Sequence, residues 1–393
     1  MIEGCQHSAD VIDDIAKRDP CTIRQAALDQ LSITLQHHLK VLRTKKLQLD
    51  SGLPIFHNLQ ASSQDAKGKD DKGRHLAIEE TIVTPGSVSF DDVAGLKEAK
   101  QLLKEAIIMP LQYPHLFTGG RQPWKRILLY GPPGTGKTRL AQAISTEINS
   151  TFYSVSSSDL VSCWVGESEK LIKELFKHAT SQEGTSVIFI DEIDSICRTR
   201  SLREEEHTRR IKTELLKQME GADNITGKDK IFLMCATNRP WELDSAFLRR
   251  FQKRIYIPLP DLDARKVLFK IRSAATDIKL TKEELEDFAK QTAGYSGSDL
   301  ANLILSASFE PIRDMQKATH WTKLQNQMFS PSSPYQSGAI QGTLTDFPRD
   351  KVQPRSVSLS DLRKSLKSCP KSVHEEELKQ FEDFTKQLGH NGI

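Results

Sequence analysis

Residues 131–138 read GPPGTGKT, set between a short apolar run, Ile127-Leu128-Leu129-Tyr130, and the helix-like opening Arg139-Leu140-Ala141-Gln142-Ala143-Ile144. No other stretch of the chain narrows the choice of fold as much. A strand that passes through a glycine-rich loop into a helix begins an α/β unit, and G-x-x-x-x-G-K-T is the P-loop pattern for a nucleoside triphosphate. Gly131, Gly134 and Gly136, with Pro132, Pro133 and Thr135 between them, let the backbone come close to phosphate oxygens. Exposed N–H groups and the positive end of the helix then cradle the anion. Lys137 adds a point charge at the β- and γ-phosphates, and Thr138 supplies a hydroxyl for Mg²⁺.

The other half of such a site is visible at Val187-Ile188-Phe189-Ile190-Asp191-Glu192. Four consecutive apolar residues predict a fully buried strand. It delivers two carboxylates at its C-terminal end, where open α/β sheets bind ligands. Asp191 would belong to the Mg²⁺ shell as the acidic partner of Thr138. Glu192 would polarise an attacking water as general base. Further strands are expected at Phe152–Val155, Ile231–Thr237 and Ile255–Ile257, and Glu167–Ala179 reads as an amphipathic helix with Leu171, Ile172, Leu175, Phe176 and Ala179 inward. Strands and helices alternate from about Ser89 to Pro260, which predicts a parallel sheet.

The flanks differ from this middle. Asp19-Pro20 is a helix start, and Leu28, Leu31, Leu35, Leu39 and Leu42 continue at helical spacing, so residues 1–62 are expected to be a helical segment. Residues 63–88 read as a polar linker, 89–260 as the α/β domain and 261–393 as a small helical domain. The helical pattern runs from Asp261 to about Lys323 and returns at Ser360–Leu388. Between them, at 330–357, Pro331, Pro334, Pro348 and Pro354 punctuate short β-like pieces expected to form no core of their own.

Bulk properties exclude several functions. A formal charge of +3, from 55 basic and 52 acidic residues mixed along the chain, gives no electrostatic case for nucleic acid. Six cysteines, at 5, 21, 163, 197, 235 and 369, form no CxxC and no Cys/His cluster, which argues against zinc and a disulfide framework. The first twenty residues hold five acids and two basic residues, unlike a signal peptide, and no apolar run is long enough to span a bilayer. A soluble intracellular protein is expected.

Further motifs narrow the reading. The run from FDDVAGL at Phe90 through the P-loop and the carboxylate strand to ATN (236–238) and AFLRRF (246–251) resembles the AAA ATPases. PHLFTG (114–119), VSSSDL (155–160), GESEKL (166–171), RRIKTE (209–214) and KRIYIPLP (253–260) resemble the vacuolar protein sorting-associated protein 4 subfamily, as do PIRDMQKATHW (311–321) and GAIQGTLTDFP (338–348). That resemblance covers about residues 85–393. It implies a Mg²⁺- and ATP-dependent homo-hexamer that disassembles ESCRT-III filaments, with peripheral membrane association through them. It also implies an assembly-promoting cofactor bound at 330–357. Katanin and spastin, which sever microtubules, share the core but generally lack a comparable insertion.

By the same resemblance, Asp92 and the DVAG segment touch adenine, Asn238 is the polar sensor, and Arg249 and Arg250 are fingers acting on the neighbouring subunit's ATP. Gly294–Gly297 is a small-domain turn near the nucleotide. Trp164 and Val165 match the pore loop that grips polypeptide, with Cys163 where the family usually has lysine, and Arg198–Arg203 with Glu204–His207 matches a second pore loop. No guanine-reading NKxD is present, which favours ATP. The N-terminal segment matches only part of the family's three-helix microtubule-interacting-and-trafficking domain. Two rivals remain open on the sequence: a severing ATPase, and a nucleotide-dependent scaffold without turnover.

Overall fold

The computed structural model describes residues 78–83, 88–157, 160, 167–198, 206–221, 230–274, 278, 280–324 and 327–389. The chain divides into two units, Met1–Lys67 and Gly68–Ile393. The first, with the helical segment expected over 1–62, lies outside the described residues, as do Trp164 and Val165.

The second unit is built on a six-stranded sheet: β1 Ile82–Val83, β2 Arg126–Tyr130, β3 Thr151–Ser156, β4 Thr185–Asp191, β5 Lys230–Thr237 and β6 Lys253–Tyr256. The strand order is β1-β3-β4-β5-β2-β6. All neighbours are parallel except β1, which pairs antiparallel with β3. The connections are helical: α1 Lys97–Leu103, α2 Lys137–Glu147, α3 Glu167–Ser181, α4 Asp194–Cys197, α5 Glu206–Gly221 and α6 Ser245–Arg250. Helix α1 runs on through a π-helical stretch, Lys104–Ile108, into a last turn at Met109–Gln112.

Alternation along β2 separates two cores. Ile127 and Leu129 face a layer with Leu103, Ile107, Leu140 and Ile144, while Leu128 and Tyr130 face one with Ile172, Phe176, Ile211 and Leu215. Both faces of the sheet are thus covered, as its apolar strands demand. The inward residues expected on α3 behave accordingly: Ile172, Leu175, Phe176 and Ala179 are buried and Leu171 is partly so.

A second layer follows the chain turn at Pro258–Asp261. Helices α7 Leu262–Ser273, α8 Lys282–Gln291, α9 Gly297–Ser308 and α10 Glu310–Lys317 lead to three short strands, then to α11 Leu359–Ser368 and α12 Glu375–Leu388. Three of these starts have a chemical reason: Asp261, Thr281 and Ser296 cap α7, α8 and α9 by accepting a backbone N–H of the first turn. Phe269, Phe288, Leu300, Leu303, Ile304 and Leu362 form the small domain's own core.

Four expectations need correcting. Residues 78–83 are not linker, since Ile78 is 1% exposed in the core and β1 extends the sheet. Helix ends at Lys317, and His320–Lys323 is a strand, β7, flanked by β8 Phe329–Pro331 and β9 Ile340–Gln341 in an antiparallel sheet. The insertion therefore begins ten residues before 330, and it does have a small core. Trp321 is fully buried, with ring centroids of Trp321 and Phe347 at 5.0 Å and of Phe329 and Phe347 at 4.7 Å. Lastly, Ser360–Leu388 is two helices rather than one. Pro370 stops α11, and α12 returns to the large domain, where Phe381 and Phe384 join the core containing Tyr130 and Tyr256.

Candidate active site

The C-terminal ends of β2, β4 and β5 open into a cavity of about 470 Å³ whose far wall is the small domain. Its lining includes Pro133–Arg139, Asp191, Glu192 and Asn238 from the large domain, and Leu268, Ile271, Arg272, Gly297 and Ser298 from α7 and α9. Asp92, Val93 and Ala94 close a third side.

The loop after β2 needs its glycines for reasons of space. A Cβ on Gly131 would meet the Ile257 carbonyl oxygen at 2.1 Å. Gly134 has φ +72°, and a Cβ there would fall within 2.9 Å of both Ser296 Oγ and Ser298 Oγ. The small domain thus touches the loop directly, and Ser298 N–H donates to the Gly134 carbonyl at 3.3 Å. Helix α2 starts at Lys137 with no side-chain cap and no acidic residue in its first turn, which leaves its N–H groups to an anion.

Lys137 is buried and donates through Nζ to the carbonyls of Gly131 at 2.9 Å and Pro132 at 2.8 Å. Those two residues hold the lysine and do not line the cavity, a more indirect part than the sequence implied. Burial pushes the Lys137 ammonium down to about 8, against the pull of Asp191 and Asp194. A cation so poorly solvated gains much from a polyphosphate beside it.

Thr138 Oγ1 donates to Asp191 Oδ2 at 2.6 Å, joining helix α2 to the end of β4. A hydroxyl and a carboxylate at the mouth of the loop suit Mg²⁺, which takes few protein oxygens and completes its shell with water and phosphate. Glu192 follows in a left-handed conformation, φ +51°, its N–H held by Asp191 Oδ1 at 2.9 Å. Asn238, half-buried at the end of neighbouring β5, shares the cavity with it. The Asp92 carboxylate is engaged by Ser89, whose N–H donates to it at 2.8 Å. Lys100 Nζ fixes this segment by donating to the carbonyls of Phe90 at 2.7 Å and Val93 at 2.5 Å.

Arg249 and Arg250, at the end of α6, are not among the residues that line the cavity of their own chain. Arg249 is exposed. Arg250 is half-buried, and its guanidinium donates to Glu220 at 2.6 and 3.0 Å. Of the second pore-loop stretch the structure describes Arg198, in an ion pair with Glu242 at 2.8 Å, and Glu206 and His207 at the start of α5. Leu268, Ile271 and Arg272 on α7 and Ser298 on α9 carry no signature in the sequence, because both stretches read there simply as helix.

Three family models match successive stretches of the second unit. The ATPase family associated with various cellular activities (AAA) matches 127–259, the AAA+ lid domain 282–326, and the Vps4 C-terminal oligomerisation domain 329–389. Mouse vacuolar protein sorting-associated protein 4B is 44% identical over 363 residues, covering 88% of this chain and 81% of that protein. The chain is an AAA ATPase of the vacuolar protein sorting-associated protein 4 family.

It is accordingly a nucleotide-binding ATP hydrolase with an oligomerisation module. The Arabidopsis katanin p60 ATPase-containing subunit A1 is more distant, 40% identical over 78% of this chain and 55% of its own length. Among solved structures, the FIGL-1 AAA domain in complex with ADP superposes with a TM-score of 0.67 at 34% identity, covering 86% of this chain and 99% of that one. Among the described residues no helix is long and apolar enough to cross a membrane.

Proposed function

We propose that this AAA ATPase is a Mg²⁺-dependent homo-hexameric motor that disassembles ESCRT-III filaments by drawing their subunits through a central pore. The observation that carries the reading is the pairing of a two-domain nucleotide cavity with a matched Vps4-type oligomerisation module in one unit. The C-terminal helix α12 binds that module to the strand that feeds the P-loop: Tyr130 hydroxyl donates to Thr385 Oγ1 at 3.0 Å.

In this reading Lys137 and the first-turn N–H groups of α2 hold the β- and γ-phosphates. Thr138 and Asp191 are the protein ligands of the metal, which when bound neutralises phosphate charge. Glu192 orients water and takes its proton, and Asn238 fixes the same water or reads the γ-phosphate. Arg249 and Arg250 serve the neighbouring copy, which agrees with their place outside their own cavity; for Arg250 this requires exchange of its Glu220 partner. An exposed apolar series, Leu305, Phe309 and Ile312 at 56, 47 and 42%, lies along α9 and α10 and offers surface for contact between copies. Trp164 and Val165 grip the polypeptide.

The insertion would take the assembly-promoting cofactor. Tyr335, 96% exposed, is its best-placed apolar anchor. Attachment to endosomal membranes would be peripheral, through ESCRT-III. The experiment is ATPase assay with helical ESCRT-III tails and glutamate-rich tubulin tails in parallel. Stimulation by the former alone supports this reading; stimulation by tubulin tails alone replaces it with microtubule severing, and no turnover at high protein concentration with a scaffold.

A further inference from the structure

The peptide linking Asp191 to Glu192 is held in a conformation its own sequence does not favour. Glu192, a non-glycine residue at φ +51°, stays left-handed only if its surroundings fix it. Three hydrogen bonds do so. Glu192 N–H donates to Asp191 Oδ1 at 2.9 Å, Ile193 N–H donates to the Ala236 carbonyl at 3.0 Å, and Ser157 Oγ donates to the Asp191 carbonyl at 2.7 Å.

The third bond stands apart. Ser157 is fully buried and does not line the cavity, so it cannot touch nucleotide. It follows directly on β3, where Ser156 pairs with Asp191. Without its hydroxyl the Asp191 carbonyl loses a partner that is itself buried.

We propose that Ser157 is a positioning residue: through the Asp191 carbonyl it sets the direction in which the Glu192 carboxylate enters the cavity. This rests on the reading of Glu192 as the base.

The test compares Ser157→Ala, Ser157→Cys and Glu192→Gln in the full chain. Ser157→Ala should lower kcat about tenfold or more, while KM for ATP and the dissociation constant of a fluorescent ADP analogue stay within twofold of wild type. Cysteine, a weak donor of similar shape, should restore part of the loss. Because Ser157 acts through Glu192, the double variant should be no slower than Glu192→Gln alone. Wild-type kcat in Ser157→Ala, a parallel loss of ADP binding, or an additive double variant would each overturn the proposal. Should Glu192→Gln itself turn over normally, the base assignment falls and the proposal with it. A slow Glu192→Gln beside a normal Ser157→Ala removes Ser157 alone.

Discussion

The parallel sheet beneath the nucleotide cavity and the three-stranded sheet of the insertion are stabilised by opposite means. Residues 127–130 of β2 are fully buried, packed under helices on both faces, and the functional groups sit where the strands end. In the insertion β9 is exposed, and the sheet hangs on one buried indole. Trp321 packs on Phe347, and its Nε1 donates to the Gly342 carbonyl at 3.0 Å. An ionic clasp lies at its base: Arg355 reaches both Asp361 and Asp314. The first region is a rigid frame that presents chemistry. The second is a cassette held by a small aromatic core of its own.

The comparison breaks most visibly at Glu192. Glu192→Gln should cut turnover by about 10²–10⁴ while leaving ATP binding and the melting temperature close to wild type. Steady-state ATPase rates and nucleotide titration check this; unchanged turnover would remove Glu192 from the role of base.

Trp321→Ala should do the reverse. Deleting the indole should cost the insertion about 3–5 kcal/mol, enough to unfold it locally. Hydrogen exchange should then show lost protection confined to residues 319–357, with basal ATP hydrolysis retained. A collapse of basal hydrolysis would show that the cassette supports the cavity after all.

The smallest effect sharpens the contrast by pH. The Arg355 guanidinium, helped by Ser358, pulls the Asp361 carboxyl down to about 2 from 3.8, more than burial raises it. A carboxyl depressed on folding stabilises above its unfolded value and loses that contribution as pH falls through its folded one. Arg355→Met should therefore melt earlier than wild type at neutral pH, and the gap should close between about pH 4 and pH 2. A gap that persists at pH 2 would assign the loss to packing instead of charge.

The two regions also differed in how far the sequence could be read. Lys137, Thr138, Asp191 and Glu192 were legible because each lies in a contiguous strand–loop pattern whose chemistry is local. Arg272 and Ser298 were not, because they meet the cavity only after the chain turns at Pro258–Asp261, and periodicity does not say which surface a helix will face. The same limit hid α12: its apolar stripe was visible, but its docking on Tyr130 and Tyr256 was not. Trp321 was read as helical because the pattern of α10 continues smoothly into it. The edge strand Ile82–Val83 is two residues long, too short for alternation to show.

The central claim is that the cavity of one copy is completed by an arginine of the next. Mixing Arg249→Ala subunits with Glu192→Gln subunits tests it directly, since each is impaired alone and only their interface joins an intact finger to an intact base. Trans action predicts that a one-to-one mixture recovers up to roughly a quarter of wild-type turnover, as random assortment in a cyclic ring allows. Turnover that never exceeds the sum of the two separate variants, at any ratio, would contradict it.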